Sequence, residues 1–89
     1  MTLNTQEQIS RVCDEIKAML IEKNRKYGDS AINPLRCFSK ATPSEQLLVR
    51  IDDKLSRIRN AQTDEDEDPI NDLIGYLILL KVSKLSQDQ

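Results

Sequence analysis

The sequence predicts an all-α chain: three main helices plus a short helical segment, forming a small helical bundle completed by homo-oligomerisation. Three observations predict it. Apolar residues recur at three- and four-residue steps in separate stretches of the chain. Each stretch opens on a helix-start signal, with polar caps at Thr5, Thr42 and Asp68 and proline after the last two. The final stretch is apolar around nearly its whole circumference, which a lone three-helix chain cannot cover. The 89 residues make one domain, residues 1–89, and a chain this short buries only a modest part of its surface.

The first helix is expected to begin at Thr5, where Gln8 completes a capping-box pattern. Ile9, Val12, Cys13, Ile16, Met19 and Leu20 then mark one face, and the pattern fades near Lys23. Residues 23–30 follow as a polar loop holding Lys23, Asn24, Lys26, Tyr27, Gly28, Asp29 and Ser30. Asn33-Pro34 is a cap followed by proline, which predicts a short helical piece over residues 35–40 with Leu35 and Phe38 facing inward. Thr42-Pro43-Ser44-Glu45 is a second start signal. The helix after it is expected to run to about Asn60 with Leu47, Leu48, Ile51, Leu55 and Ile58 buried. Arg50, Asp53, Lys54 and Arg57 form a polar stripe roughly 120° from the apolar one, with Arg50 and Lys54 nearest the core. Residues 62–67 read as an acidic linker. Asp68-Pro69 opens the last helix, which carries Asp72, Gly75 and Tyr76 among aliphatic residues.

Composition excludes several chemistries. The chain has no histidine, and Cys13 and Cys37 form no metal-binding spacing, so a zinc site or a histidine triad is excluded. Two buried thiols are expected, in preference to one disulfide. The net charge of −2 argues against bulk nucleic-acid binding, and 3% aromatic residues leave few platforms for stacking single strands. The opening residues show no signal pattern and the longest apolar run is far too short to span a bilayer, so the chain is expected to be soluble and cytoplasmic.

The cations are distributed in a way that suggests a pocket. In residues 23–30 the lysines offer point charges for phosphate, Gly28 allows close backbone approach and Ser30 offers a hydroxyl; a basic helix end followed by a turn explains the same residues equally well. Arg36 and Lys40 stand four apart on one helical face, and Arg36 can clamp a phosphate bidentately. The stripe of Arg50, Lys54 and Arg57 is either a pocket wall or an ion-pair ladder. Asp72 lies on a helix that reads as buried all round, so its carboxylate needs a partner or a metal.

Together these residues resemble a phage family, the nucleotide-modification-associated domain, related to MazG-like all-α nucleoside triphosphate pyrophosphohydrolases. The resemblance rests on Lys23-Asn24-x-x-Tyr27-Gly28-Asp29-Ser30, Asn33-Pro34-Leu35-Arg36, Arg50-x-Asp52-Asp53-Lys54-x-x-Arg57 and Asp72-Leu73-Ile74-x-Tyr76. It implies an oligomeric helical fold with a nucleotide pocket between helices. Phosphates are then expected at Lys23, Lys26, Arg36, Lys54 and Arg57, and the base or sugar at Tyr27 or Tyr76. The ligand-binding set also includes Asn24, Gly28, Asp29, Ser30, Asn33, Lys40 and Arg50. In catalytic relatives paired carboxylates hold magnesium, and Asp53 and Asp72 stand at two of those places. Arg50 and Pro69 occupy the positions where the other two acids belong. The expectation is therefore capture of a nucleotide or a nucleotide-derived ligand, including a cyclic immune signal that a phage protein would sequester, without efficient turnover. A magnesium-dependent pyrophosphohydrolase and a helical protein–protein interaction module are the alternatives.

Overall fold

The computed structural model describes residues 4–32, 40–61 and 68–87, and in them the chain is helical throughout its regular structure. Helix α1 spans Thr5–Tyr27, α2 Pro43–Arg59 and α3 Pro69–Gln87. No strand occurs among the described residues.

The start of α1 lies one residue earlier than the capping-box pattern suggests. Asn4, in extended conformation, is the cap, and its Oδ1 accepts a hydrogen bond from the Glu7 N–H at 2.8 Å. Asparagine is at least as good a cap as threonine, so Thr5 becomes the first helical residue. At the other end α1 runs four residues past Lys23. Arg25 and Lys26 are good helix formers and complement the negative end of the helix dipole, so the helix stops only at Gly28. Most of the expected loop is thus the last turn of α1.

Helices α2 and α3 start as the sequence predicts. Thr42 Oγ1 accepts from the Glu45 N–H at 3.1 Å with Pro43 at the first helical position. Asp68 Oδ1 accepts from the N–H groups of Ile70 and Asn71. The expected helical piece over residues 35–40 lies outside the described residues except for Lys40, which is exposed and not helical.

The main packing is between α2 and α3, with a slighter contact between α1 and α3. Ser44 meets Ser83 at 3.4 Å and Lys54 meets Asp72 at 3.2 Å, so α2 and α3 run antiparallel. Leu20 against Gly75 and Lys23 against Asp72 set α1 antiparallel to α3 as well. The crossing at Gly75 is close: a Cβ there would sit 2.9 Å from Leu20 Cδ2.

Apolar expectations change at five positions. On α2 the buried face is Leu47, Ile51 and Lys54, while Leu48 and Leu55 are exposed. Lys54 shares the sector of Leu47 and Ile51 on the helical wheel, and a carboxylate across the interface lets it stay there. On α1 only Ile16 is buried; Ile9 and Val12 are exposed, and so is Cys13, against the expectation of a buried thiol. Cys37 lies outside the described residues. Helix α1 crosses α3 near its own C-terminal end, and every residue from position 4 to 15 is exposed. The chain is correspondingly long, at 53 × 35 × 23 Å, with a radius of gyration of 14.9 Å against about 12 Å for a compact chain of this length. Among the described residues no helix is long and apolar enough to cross a membrane.

Candidate functional site

Where α1 crosses the α2–α3 pair, the three helices leave a cleft of about 360 Å³. This is at the small end of the ~300–1,000 Å³ usual for small-molecule sites. Lys23, Asn24 and Tyr27 reach it from the last turns of α1, and Asp29 and Ser30 from the turn that follows. Arg50 and Lys54 face it from α2, and Asp72 and Tyr76 from α3. Met19, Leu20, Ala31, Ile32, Gly75 and Leu79 supply an apolar wall.

The floor is a three-helix ion pair. Asp72 receives Lys54 at 3.2 Å on one oxygen and Lys23 at 3.5 Å on the other. The Lys54 and Asp72 side chains are only 10% and 14% exposed, whereas Lys23 is 55% exposed. The inner bridge is therefore shielded from water and the outer one is solvated, worth little and easily exchanged for another anion. This explains how α3 tolerates a carboxylate: the partner Asp72 requires is Lys54, on the buried face of α2.

The rim combines charge with aromatic surface. The Arg50 guanidinium lies 5.9 Å from the centre of the Tyr76 ring, and Tyr27 stands 63% exposed at the mouth. Lys23, Arg50 and Lys54 against Asp29 and Asp72 leave one positive charge in excess among the described lining residues.

The turn after α1 is built by its own polar groups. Asn24 Nδ2 donates to the Gly28 carbonyl at 3.2 Å and to Asp29 Oδ1 at 2.8 Å. The Ile32 N–H donates to the Asp29 carbonyl at 3.0 Å, which folds Ala31 and Ile32 back to the cleft. Gly28 has φ 66° and ψ −154°, a region that glycine alone occupies readily. Gly28→Ala is therefore expected to cost about 1–3 kcal/mol although space around it is open. Urea titration at fixed protein concentration checks this; an unchanged midpoint would show that the turn relaxes without loss.

Several expected site residues lie elsewhere. Lys26 does not line the cleft; its ammonium lies 5.4 Å from the centre of the Tyr27 ring. Gly28 shapes the turn without facing the cleft, and Lys40 is exposed away from it. Arg57 donates to Asp53 at 3.1 Å within α2, and neither borders the cleft. Asp53 and Asp72, expected to share a metal, are thus not brought to one place. No group of three or more acids or thiols suited to a metal ion occurs among the described residues. Asn33 and Arg36 lie outside those residues. Next to the site, Arg25 donates to Glu22; this bond holds the Glu22 carboxyl below its usual range and the Arg25 guanidinium above its own.

The apolar wall is what the sequence did not reveal. Ala31-Ile32 is an apolar pair inside a polar stretch, a signal that something there is covered. Leu20 reads as core from its periodicity, yet it is the close approach to Gly75 that puts it at the cleft. The chain matches no known protein family, no curated protein and no solved structure.

Proposed function

We propose that this chain captures a nucleotide or a nucleotide-derived small molecule in the three-helix cleft, holds it without efficient turnover, and works as a homo-oligomer. The observation that supports this is convergence: Lys23, Arg50 and Lys54 come from two helices to one cleft that Tyr27 and Tyr76 also line. A phosphate reaching Lys23 exchanges with Asp72 for a solvated bridge, at little cost. Arg50 offers planar donors, and the Tyr27 ring a face for a base. Sequestration of a nucleotide signal, as the phage-type resemblance implies, is the use that fits a binder without turnover.

Hydrolysis is the less favoured reading because of the donor set. A catalytic divalent cation needs several oxygen ligands. The cleft offers the carboxylates of Asp72 and Asp29; both oxygens of the first are engaged by lysines, and one oxygen of the second by Asn24. Magnesium remains the cofactor implied if turnover occurs.

The test is a nucleotide panel, cyclic species included, with and without magnesium. Thermal shift and chromatography of the recovered ligand are read together. The expected result is a rise in melting temperature with intact ligand. That rise should be lost in the Lys23→Ala, Arg50→Ala double variant, whose helix content stays unchanged because both side chains are exposed. Release of pyrophosphate or monophosphate would instead establish the enzyme. No response to any ligand would leave the interaction module, which the uncovered apolar residues favour.

A further inference from the structure

We propose that the N-terminal half of α1 is an arm that docks on the outer face of α3 in a second copy of this chain, reciprocally in both directions. This rests on the oligomeric part of the reading above and not on the ligand.

The first argument is area. The chain exposes 7382 Å². A folded monomer of 10.2 kDa is expected to expose about 5,300 Å². The excess, about 2,000 Å² per chain, is of the size that obligate homodimers bury.

The second argument is where that surface lies. Residues 4–15 are all exposed, and they carry Ile9, Val12 and Cys13 on the face that continues through the buried Ile16. The arm prolongs a helix already formed, and its apolar face gains by leaving water. The arm cannot reach its own bundle, because α1 is one continuous helix whose C-terminal half is fixed at Gly75. On α3, Leu77, Ile78, Val82 and Leu85 are exposed at 45%, 39%, 38% and 68%. At 100° per residue they fall within a sector of about 140°, with Lys81 in its middle. That sector points away from α2, towards which Ser83 and Tyr76 are turned.

The third argument decides which faces meet. On the arm, Glu7, Arg11, Asp14 and Glu15 lie on the side of the helix away from Ile9, Val12 and Cys13, so its apolar face carries no charge. On α3, Lys81 lies within the apolar sector. Packing α3 against α3 would bring like charges together and leave the arm uncovered, and arm against arm would leave the α3 sector uncovered. Arm against α3, made twice about a twofold axis, covers both.

The experiment has two readouts. Sedimentation equilibrium of the full chain is expected to give twice the chain mass. Val12→Lys sets a like charge against the α3 sector that holds Lys81 and should weaken association at least about a hundredfold. Its helix content should be unchanged, because Val12 is already exposed within the protomer. Then, in a Cys37→Ser background, Ile78→Cys should form an interchain disulfide with Cys13 under mild oxidation. A chain of single mass at all concentrations would overturn both this pairing and the oligomeric reading. A dimer insensitive to Val12→Lys would overturn the pairing alone. So would a dimer whose Cys13 links to the partner's Cys13, an arm-on-arm contact, and not to position 78.

Discussion

Asp72→Ala is expected to destabilise the folded chain by roughly 3 kcal/mol, the largest loss from any single polar substitution. Breaking a buried ion pair by removing one partner costs about 3–5 kcal/mol, since the remaining charge stays in a poorly solvated place. The low end applies because Asp72 keeps 14% of its side chain exposed and Lys23 already shares its charge. For a domain of this size the corresponding fall in melting temperature is roughly 10–25 °C. The double substitution Lys54→Met with Asp72→Leu should recover most of that loss, because an apolar pair of similar volume carries no desolvation penalty. It should not recover the response to nucleotides. Urea unfolding at one fixed protein concentration measures both variants, since an oligomer's stability depends on concentration. A loss below about 1 kcal/mol for Asp72→Ala would place the bridge with ordinary surface pairs.

Gly75 gives the second large effect, and its direction depends on the size of the new side chain. Alanine gains about 1 kcal/mol of helix propensity over glycine. Its Cβ meets Leu20 Cδ2 at 2.9 Å, but that atom is the free end of a side chain and can turn aside. Gly75→Ala is therefore expected to be close to neutral. Gly75→Leu has no such escape: overpacking costs about 1–3 kcal/mol, and relief comes by moving α1 off α3. The cleft exists because those helices meet closely, so Gly75→Leu should also abolish nucleotide stabilisation. Leu20→Ala added to Gly75→Leu should restore part of the stability by returning the lost volume. Equal stability and ligand response in Gly75→Leu and Gly75→Ala would show that the close crossing does not shape the cleft.

The elements were legible where local chemistry decides. Thr42-Pro43 and Asp68-Pro69 name their helix starts because a cap and a proline act within one turn. The end of α1 was not, because residues 24–27 are polar enough to read as loop although Arg25 and Lys26 are good helix formers, and the helix stops only at Gly28. Burial was legible where both faces of an interface lie in the chain, as at Leu47 and Ile51. It failed at Ile9, Val12, Leu48 and Leu55, whose periodicity marks a helix face without showing that the protomer covers it. The site was legible as a set of residue types: Lys23, Arg50, Lys54, Tyr27 and Tyr76 do share a cleft. Lys26 and Arg57 have the same chemistry and lie outside it, Lys26 beside the Tyr27 ring and Arg57 bonded to Asp53. Which cation turns inward depends on the helix crossing, and no spacing within one helix encodes that.

The placement of that crossing has a mechanical result. With α1 pinned where Leu20 meets Gly75, about 15 residues, or about 22 Å, of rigid helix extend beyond the fulcrum. A tilt of about 5° there sweeps the far tip through about 2 Å. The same fulcrum borders the cleft, so any small rotation there is magnified at the opposite end of the rod.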